Sequence, residues 1–347
     1  MTRSLTASPT ERGTHRPPAA RRRARAGYAA GLPAVALAAV ALLGLSACSD
    51  PGAQAASATT QATVAGKAFN LSPQQDRFQA PKDEASAALV PADVRARGKL
   101  VVATAPWAAP LSLYATDNKT PIGNEVDIAY AIGQTLGLTV EVAPVAWADW
   151  PLGVESGKYD AVLSNVTVTE ARKEKFDFAT YRNDLLGFYA KSDSSISSVR
   201  EPKDVAGKRI IVGSGTNQEA ILVKWDQQNK AAGLAPVQFQ YYDDDSASSL
   251  AIQSGRADLT FGPNATAAYK AAVNGKTKQV GTLSGGWPLT AQIAFTTKKG
   301  NGLAAAAQAA LNKLIDSGAY GKVLDRWGLT SEAITHSDLN PQGLPKS

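Results

Sequence analysis

One ten-residue pattern occurs twice in this chain. Leu152-Gly-Val-Glu-Ser-Gly157-Lys-Tyr-Asp160-Ala161 and Leu250-Ala-Ile-Gln-Ser-Gly255-Arg-Ala-Asp258-Leu259 stand 98 residues apart. Each runs from an apolar helical turn through Ser-Gly, a basic residue, a spacer and an aspartate into an apolar run. Glycine takes the left-handed backbone that ends a helix at little cost, so Ser-Gly reads as a helix stop. The run after the aspartate reads as a strand. Two copies are too few for a solenoid. They predict two lobes of similar build.

The flanking pattern fits that plan. Lys99 to Thr104 (KLVVAT) reads as a buried strand and Glu125 to Leu138 as a helix, with Val126, Ile128, Ala129 and Ile132 at helical spacing. Thr139 to Val145 reads as a second strand. In the second lobe Lys208 to Gly213 and Val237 to Tyr242 read as strands, with a helix from Gln218 to Trp225 between them. Alternating strands and helices imply α/β lobes with mainly parallel sheets. Leu289 to Thr297 is an extended run suited to a return crossing, and Gly302 to Ser317 a helix to cover a sheet.

The stretch after the first copy carries a candidate site. Ala161 to Val168 alternates apolar and small polar residues, as a strand does. Thr169 is placed to cap a helix start, which puts Arg172 at the third helical position. A guanidinium beside free backbone N–H groups at the positive end of a helix is an anion site, and its planar fork matches a carboxylate. The alternative from the same residues is a local ion pair with Glu170 or Glu174.

The formal charge of +6 belongs to the leader. Residues 1–48 hold seven arginines and one glutamate, and the remainder is neutral. A neutral body has no basic footprint for nucleic acid. Arg21-Arg22-Arg23 and Arg25 precede a short apolar run, Gly31 to Leu45, in the manner of a secretion signal; the run falls short of the roughly 20 residues a membrane span needs. It ends in Leu45-Ser46-Ala47-Cys48, which resembles a lipobox with Cys48 as the lipidated residue. Cys48 is the sole cysteine, so no intrachain disulfide can form. Residues 49–90, rich in Ala, Ser, Gln and Pro, read as a flexible tether.

Four stretches in one order resemble the family 3 extracellular solute-binding proteins, the receptors of polar amino acid ABC importers. Gly123-Asn124-Glu125-Val126-Asp127-Ile128 is similar to the family's glycine–aromatic–acid–x–Asp signature, with Asn124 in the aromatic place. Ser156 to Asp160, Thr169-Glu-Ala-Arg172 and Phe178-Ala-Thr-Tyr181 come second. Asp204-Val-Ala-Gly207-Lys208 with Gly215-Thr216 is third, then Gly318-Ala-Tyr320 and Arg326-Trp327-Gly328. The resemblance implies a two-lobed periplasmic binding protein type II fold, with crossing strands near Gly187–Lys191 and Leu289–Thr297. Lobe one is then 91–188 plus 292–347, and lobe two 189–291.

Carried over residue by residue, the resemblance implies that Arg172 clamps a ligand carboxylate and that Thr167 and Asn165 serve the same end. Thr216 and Asn217 approach from lobe two, Trp147 covers the ligand, and Trp107 supplies a further contact. Ala105 stands where relatives taking basic ligands carry an acid, which argues against strongly cationic solutes. Pro263 stands where the family has an ammonium-binding aspartate, leaving Asn264 as the neighbouring candidate. Asp243-Asp244-Asp245 reads as a solvated acidic loop.

His336 is the one histidine after residue 48, and the body has no cysteine. Histidine-based metal sites, nucleophile triads and cofactor motifs are therefore unsupported, and no metal or cofactor is expected. The resemblance implies a monomeric lipid-anchored binding component on the extracytoplasmic face, partnered by an ABC permease and ATPase. The rivals are a cyclohexadienyl-type dehydratase on the same fold and a ligand sensor acting through a membrane partner.

Overall fold

The computed structural model describes residues 61–64 and 67–346. The leader and Cys48 lie outside the described residues. Two five-stranded sheets dominate. The first has the order Thr139–Pro144, Lys99–Thr104, Ala161–Val162, Gln292–Lys298, Phe176–Asn183. Its first three strands are parallel, and Gln292–Lys298 runs against both neighbours. The second has the order Gln238–Gln240, Arg209–Ile211, Leu259–Pro263, Leu185–Lys191, Thr277–Ser284, again with three parallel strands and an antiparallel returner.

The recurring pattern does the same work in each lobe. Helices Trp150–Glu155 and Asp245–Gln253 lead into the middle strands. Asp160 accepts from the Val101 N–H at 2.8 Å and pairs with Arg97 at 2.7 Å. Asp258 accepts from the Arg209 N–H at 2.8 Å and pairs with the Arg209 guanidinium at 2.6 Å. Each carboxylate fastens the start of the central strand at its own sheet.

Several sequence expectations are corrected. The first change of sheet falls at Asp184, between Phe176–Asn183 and Leu185–Lys191, so residues 185–188 belong to lobe two. The second crossing occupies the segment from Gly285 to Ala291, ahead of Gln292–Lys298. Of the expected strand 161–168, Ala161–Val162 forms a ladder strand; Asn165 then turns to φ +52°, and Thr167 rejoins the sheet through a single bridge to Ile293. Thr169 Oγ1 does accept from the Arg172 N–H at 3.1 Å, but the element it caps is a 3₁₀ turn, Arg172–Glu174. One such turn has no developed helix dipole.

The tether is corrected as well. Residues 67–90 are packed on the body. Phe69 and Val90 are buried in the lobe-one apolar cluster, with Leu71 and Phe78 against it. Arg77 donates to Asp127 at 2.8 Å, and Asp83 caps the helix Glu84–Ala88. Isolated apolar anchors at irregular spacing hold this segment, so no periodicity announces it. Asp127 also receives the Trp327 indole N–H at 2.8 Å. Two motifs 200 residues apart in sequence are therefore one structural contact.

Candidate functional site

A cavity of about 530 Å³ lies between the lobes. Its lobe-one wall is built where parallel strands end, the usual ligand position in α/β sheets. Trp107 follows Lys99–Thr104 on a short strand, is 54% exposed and meets Tyr114 edge-on at 6.2 Å. Trp147 follows Thr139–Pro144 on a 3₁₀ turn and lies edge-on to the buried Trp150 at 6.0 Å. Ser164 and Asn165 follow Ala161–Val162. Asparagine tolerates the left-handed backbone that Asn165 adopts.

The lobe-two wall comes from Thr216, Asn217, Gln218, the acidic loop Asp243 to Asp245, and Pro263. Thr216 caps the helix Asn217–Ala231, its hydroxyl accepting from the Glu219 N–H at 3.3 Å. Asn264 is not among the lining residues. Its Oδ1 accepts from Tyr189 at 3.0 Å and Gln279 at 2.6 Å, which holds it to the sheet.

The charge of the cavity is one-sided. Glu125, Asp243, Asp244 and Asp245 line it, and no Lys or Arg does. Asp244 is engaged in capping Asp245–Gln253, accepting from Ala247 at 2.7 Å, and Asp245 pairs with Lys270. Asp243 has no hydrogen-bond or ion-pair partner among the described residues. The loop that reads from sequence as merely solvated is exposed and is also cleft wall. Ser164 and Gln218 are likewise cavity residues that the sequence motifs do not single out, and Glu125, the acid of the first motif, lines the cavity without being read from the sequence as a site residue.

Beneath the cavity is a buried charged floor. Glu125 accepts from the Asn165 N–H at 2.6 Å and from Tyr181 at 2.7 Å, and lies 3.7 Å from Arg182. Arg182 pairs with Glu332 and donates to the Asn165 side chain. Burial raises the Glu125 carboxyl above its ordinary pKa and does the same to Glu332. Asn165 is thus clamped at its N–H and at its amide oxygen.

Arg172 stands behind the cavity. It lines a second space of about 470 Å³ together with Lys224, Trp287, Leu344 and Lys346. Neither nearby glutamate pairs with it: Glu170 bonds Lys173 and the Gly343 N–H, and Glu174 meets Lys346. Arg172 instead donates to the Thr167 carbonyl at 2.8 Å and reaches the Gly215 carbonyl of lobe two at 3.5 Å. Its guanidinium carbon is 5.7 Å from the Trp147 ring centre. Burial pulls its pKa down to about 10, against the attraction of the Asp184 carboxylate.

Thr167 and Asn217 face each other across the lobe boundary. The Thr167 hydroxyl is 2.8 Å from Asp184 and 3.0 Å from Asn217 Oδ1. Asn217 donates to Asp184 at 3.0 Å and to the Gly285 carbonyl at 2.7 Å. Burial raises the Asp184 carboxyl pKa. A Cβ on Gly285 would sit 2.0 Å from that carboxylate, so the second crossing needs glycine there. Asn165, Trp147, Trp107, Thr216 and Asn217 therefore meet at the main cavity, Arg172 shares the second one with Thr216 and Asn217, and Thr167 joins the two at the hinge.

The family model described as bacterial extracellular solute-binding proteins, family 3, matches residues 100–330. The chain is 30% identical over 166 residues to the L-cystine-binding protein TcyJ of Escherichia coli K12, covering 48% of this chain and 59% of that protein. The aligned region thus spans little more than half of that relative. It is 27% identical over 262 residues to the arginine-binding protein ArgT of Corynebacterium glutamicum, covering 74% of this chain and 83% of that one. An ancestral arginine-binding protein solved with glutamine superimposes with a TM-score of 0.56 at 28% identity, covering 67% of this chain and 99% of its own. Its fold is the two-lobed type II arrangement found here.

Proposed function

The chain belongs to the bacterial extracellular solute-binding proteins, family 3, and we propose that it is the lipid-anchored substrate-binding component of an ABC importer for a polar amino acid. The observation that carries this reading is the interlobe cavity itself, walled from both lobes of one chain by two tryptophans and four acids. Ligand that touches both walls favours the closed state by its differential affinity, and a permease can read that state.

The amino acid enters with its carboxylate toward Arg172. The partition between Arg172 and the main cavity is the Gly215–Asn217 turn of lobe two. When the lobes separate, that turn leaves with lobe two and the guanidinium faces the cleft. The positive end of the ligand then points to the acidic side, where Asp243 is the unengaged carboxylate. Ala105 removes an acid from lobe one, and the lobe-two loop supplies one from across the cleft. A cationic side chain between Trp107 and Trp147 gains from both ring faces.

A thermal-shift screen of the full chain tests the reading, because binding to the native state alone raises the melting temperature. L-arginine and L-lysine are expected to give larger shifts than L-glutamine, and L-glutamate the smallest. Stabilisation by amine-free carboxylic acids alone would remove amino acids from the proposal. No shift with any of these solutes would remove the binding role. For the anchor, Cys48→Ser is expected to move the protein from the membrane to the soluble fraction; retention at the membrane would refute lipidation at Cys48.

A further inference from the structure

Residues 67–71 hold both lobes at once. Phe69, 3% exposed, sits between two aromatic rings. On one side is Trp327 of lobe one, with ring centres 5.6 Å apart. On the other is Tyr269 of the lobe-two helix Asn264–Asn274, with ring centres 5.9 Å apart and planes 17° from parallel. The segment is fixed to lobe one just beyond, where the Leu71 carbonyl accepts from the Thr116 N–H at 2.9 Å. Its hairpin partner strand, Gln61–Val64, lies against the same lobe-two helix. Ala265 and Tyr269 are thereby drawn into the apolar cluster of lobe one. That helix begins directly after Pro263, a residue of the cleft wall, so its position and the width of the cleft are linked.

We propose that residues 67–71 form an interlobe strap, in which Phe69 docked between Trp327 and Tyr269 stabilises the closed arrangement of the two lobes. Trp327 is a fixed seat, since its indole N–H is held by Asp127. Tyr269 is the movable one, because lobe two carries it. Opening the cleft pulls Tyr269 off the Phe69 face and exposes apolar surface of both rings, which opposes opening. The strap biases the same two-state equilibrium as the ligand, so docking and ligand binding favour each other. A segment between the leader and the body thereby sets how readily the binding site closes.

The test measures lobe separation without ligand. In the full chain with Cys48→Ser, Leu152→Cys and Leu250→Cys provide one spin label per lobe; the native leucines are 73% and 59% exposed. Phe69→Ala is expected to shift the label–label distance distribution to longer values. Tyr269→Ala should do the same, the double variant no more than either alone, and Tyr269→Phe nothing. Unchanged distances in both Phe69→Ala and Tyr269→Ala, even with a lowered melting temperature, would overturn the strap and leave Phe69 as packing for lobe one. The affinity measurement rests on the proposed amino acid reading: L-arginine should bind three- to tenfold more weakly to Phe69→Ala. Failure of L-arginine to bind the unsubstituted chain counts against that reading alone, since the distances still decide the strap.

Discussion

Two cavities flank the Thr216–Asn217 turn, and their charges are opposite. The front cavity has four acids and no base; the rear one has Arg172, Lys224 and Lys346 and no acid. Both are lined by aromatic side chains, so hydrophobicity does not separate them. What separates them is which lobe supplies the partition. The turn belongs to lobe two, and Arg172 belongs to lobe one. The division between the cavities therefore depends on where lobe two holds that turn. On the proposed reading, a zwitterion with an extra positive charge matches the pair: its carboxylate is met by a guanidinium that hydrogen-bonds only backbone carbonyls among the described residues, and its cation by the acidic side.

That comparison can be broken first at Arg172. Arg172→Ala is expected to weaken amino acid binding by about 2–5 kcal/mol in titration calorimetry, because a buried ligand carboxylate would lose its charged partner. A loss below about 1 kcal/mol would confine Arg172 to the hinge and the rear cavity. It is sharpened next at the rims. Asp243→Asn is expected to weaken L-arginine about tenfold, or about 1.4 kcal/mol, while L-glutamine changes little. The matching neutralisation behind the turn, Lys224→Met, should alter either affinity by less than about 0.5 kcal/mol, as for an exposed surface charge. Equal effects from the two substitutions would mean that the turn does not divide the site.

Much of this was legible in the sequence. The repeated decapeptide placed the middle strand of each sheet, and the two aspartates proved to make the same pair of contacts. Thr216, Asn217, Asn165, Trp147 and Trp107 were found at the cleft. The rest was hidden for definite reasons. The turn at Asn165 cuts a strand whose alternation looks unbroken, because asparagine enters the left-handed region without a glycine to mark it. Phe69 and Phe78 pack a polar segment with single anchors, which periodicity cannot detect. An acidic loop looks the same in sequence whether it faces open water or a cleft. The direction in which Arg172 points depends on Thr167 and Gly215, the latter 43 residues away in the other lobe.

The junction at Asp184 and Gly285 has a consequence for how the molecule is put together. The Gly285 N–H donates to the Asp184 carbonyl at 2.8 Å, and Asn183 and Gln292 are direct cross-strand partners. The chain therefore leaves lobe one and re-enters it at a single place. Lobe two is an insertion, a cassette whose ends meet, spliced into what would otherwise be an antiparallel hairpin. Insertions at such sites are tolerated because the host loses no strand pairing. Lobe one already contains every strand of its own sheet in register, so a cassette from another member of this family could be exchanged there while the host sheet stays intact.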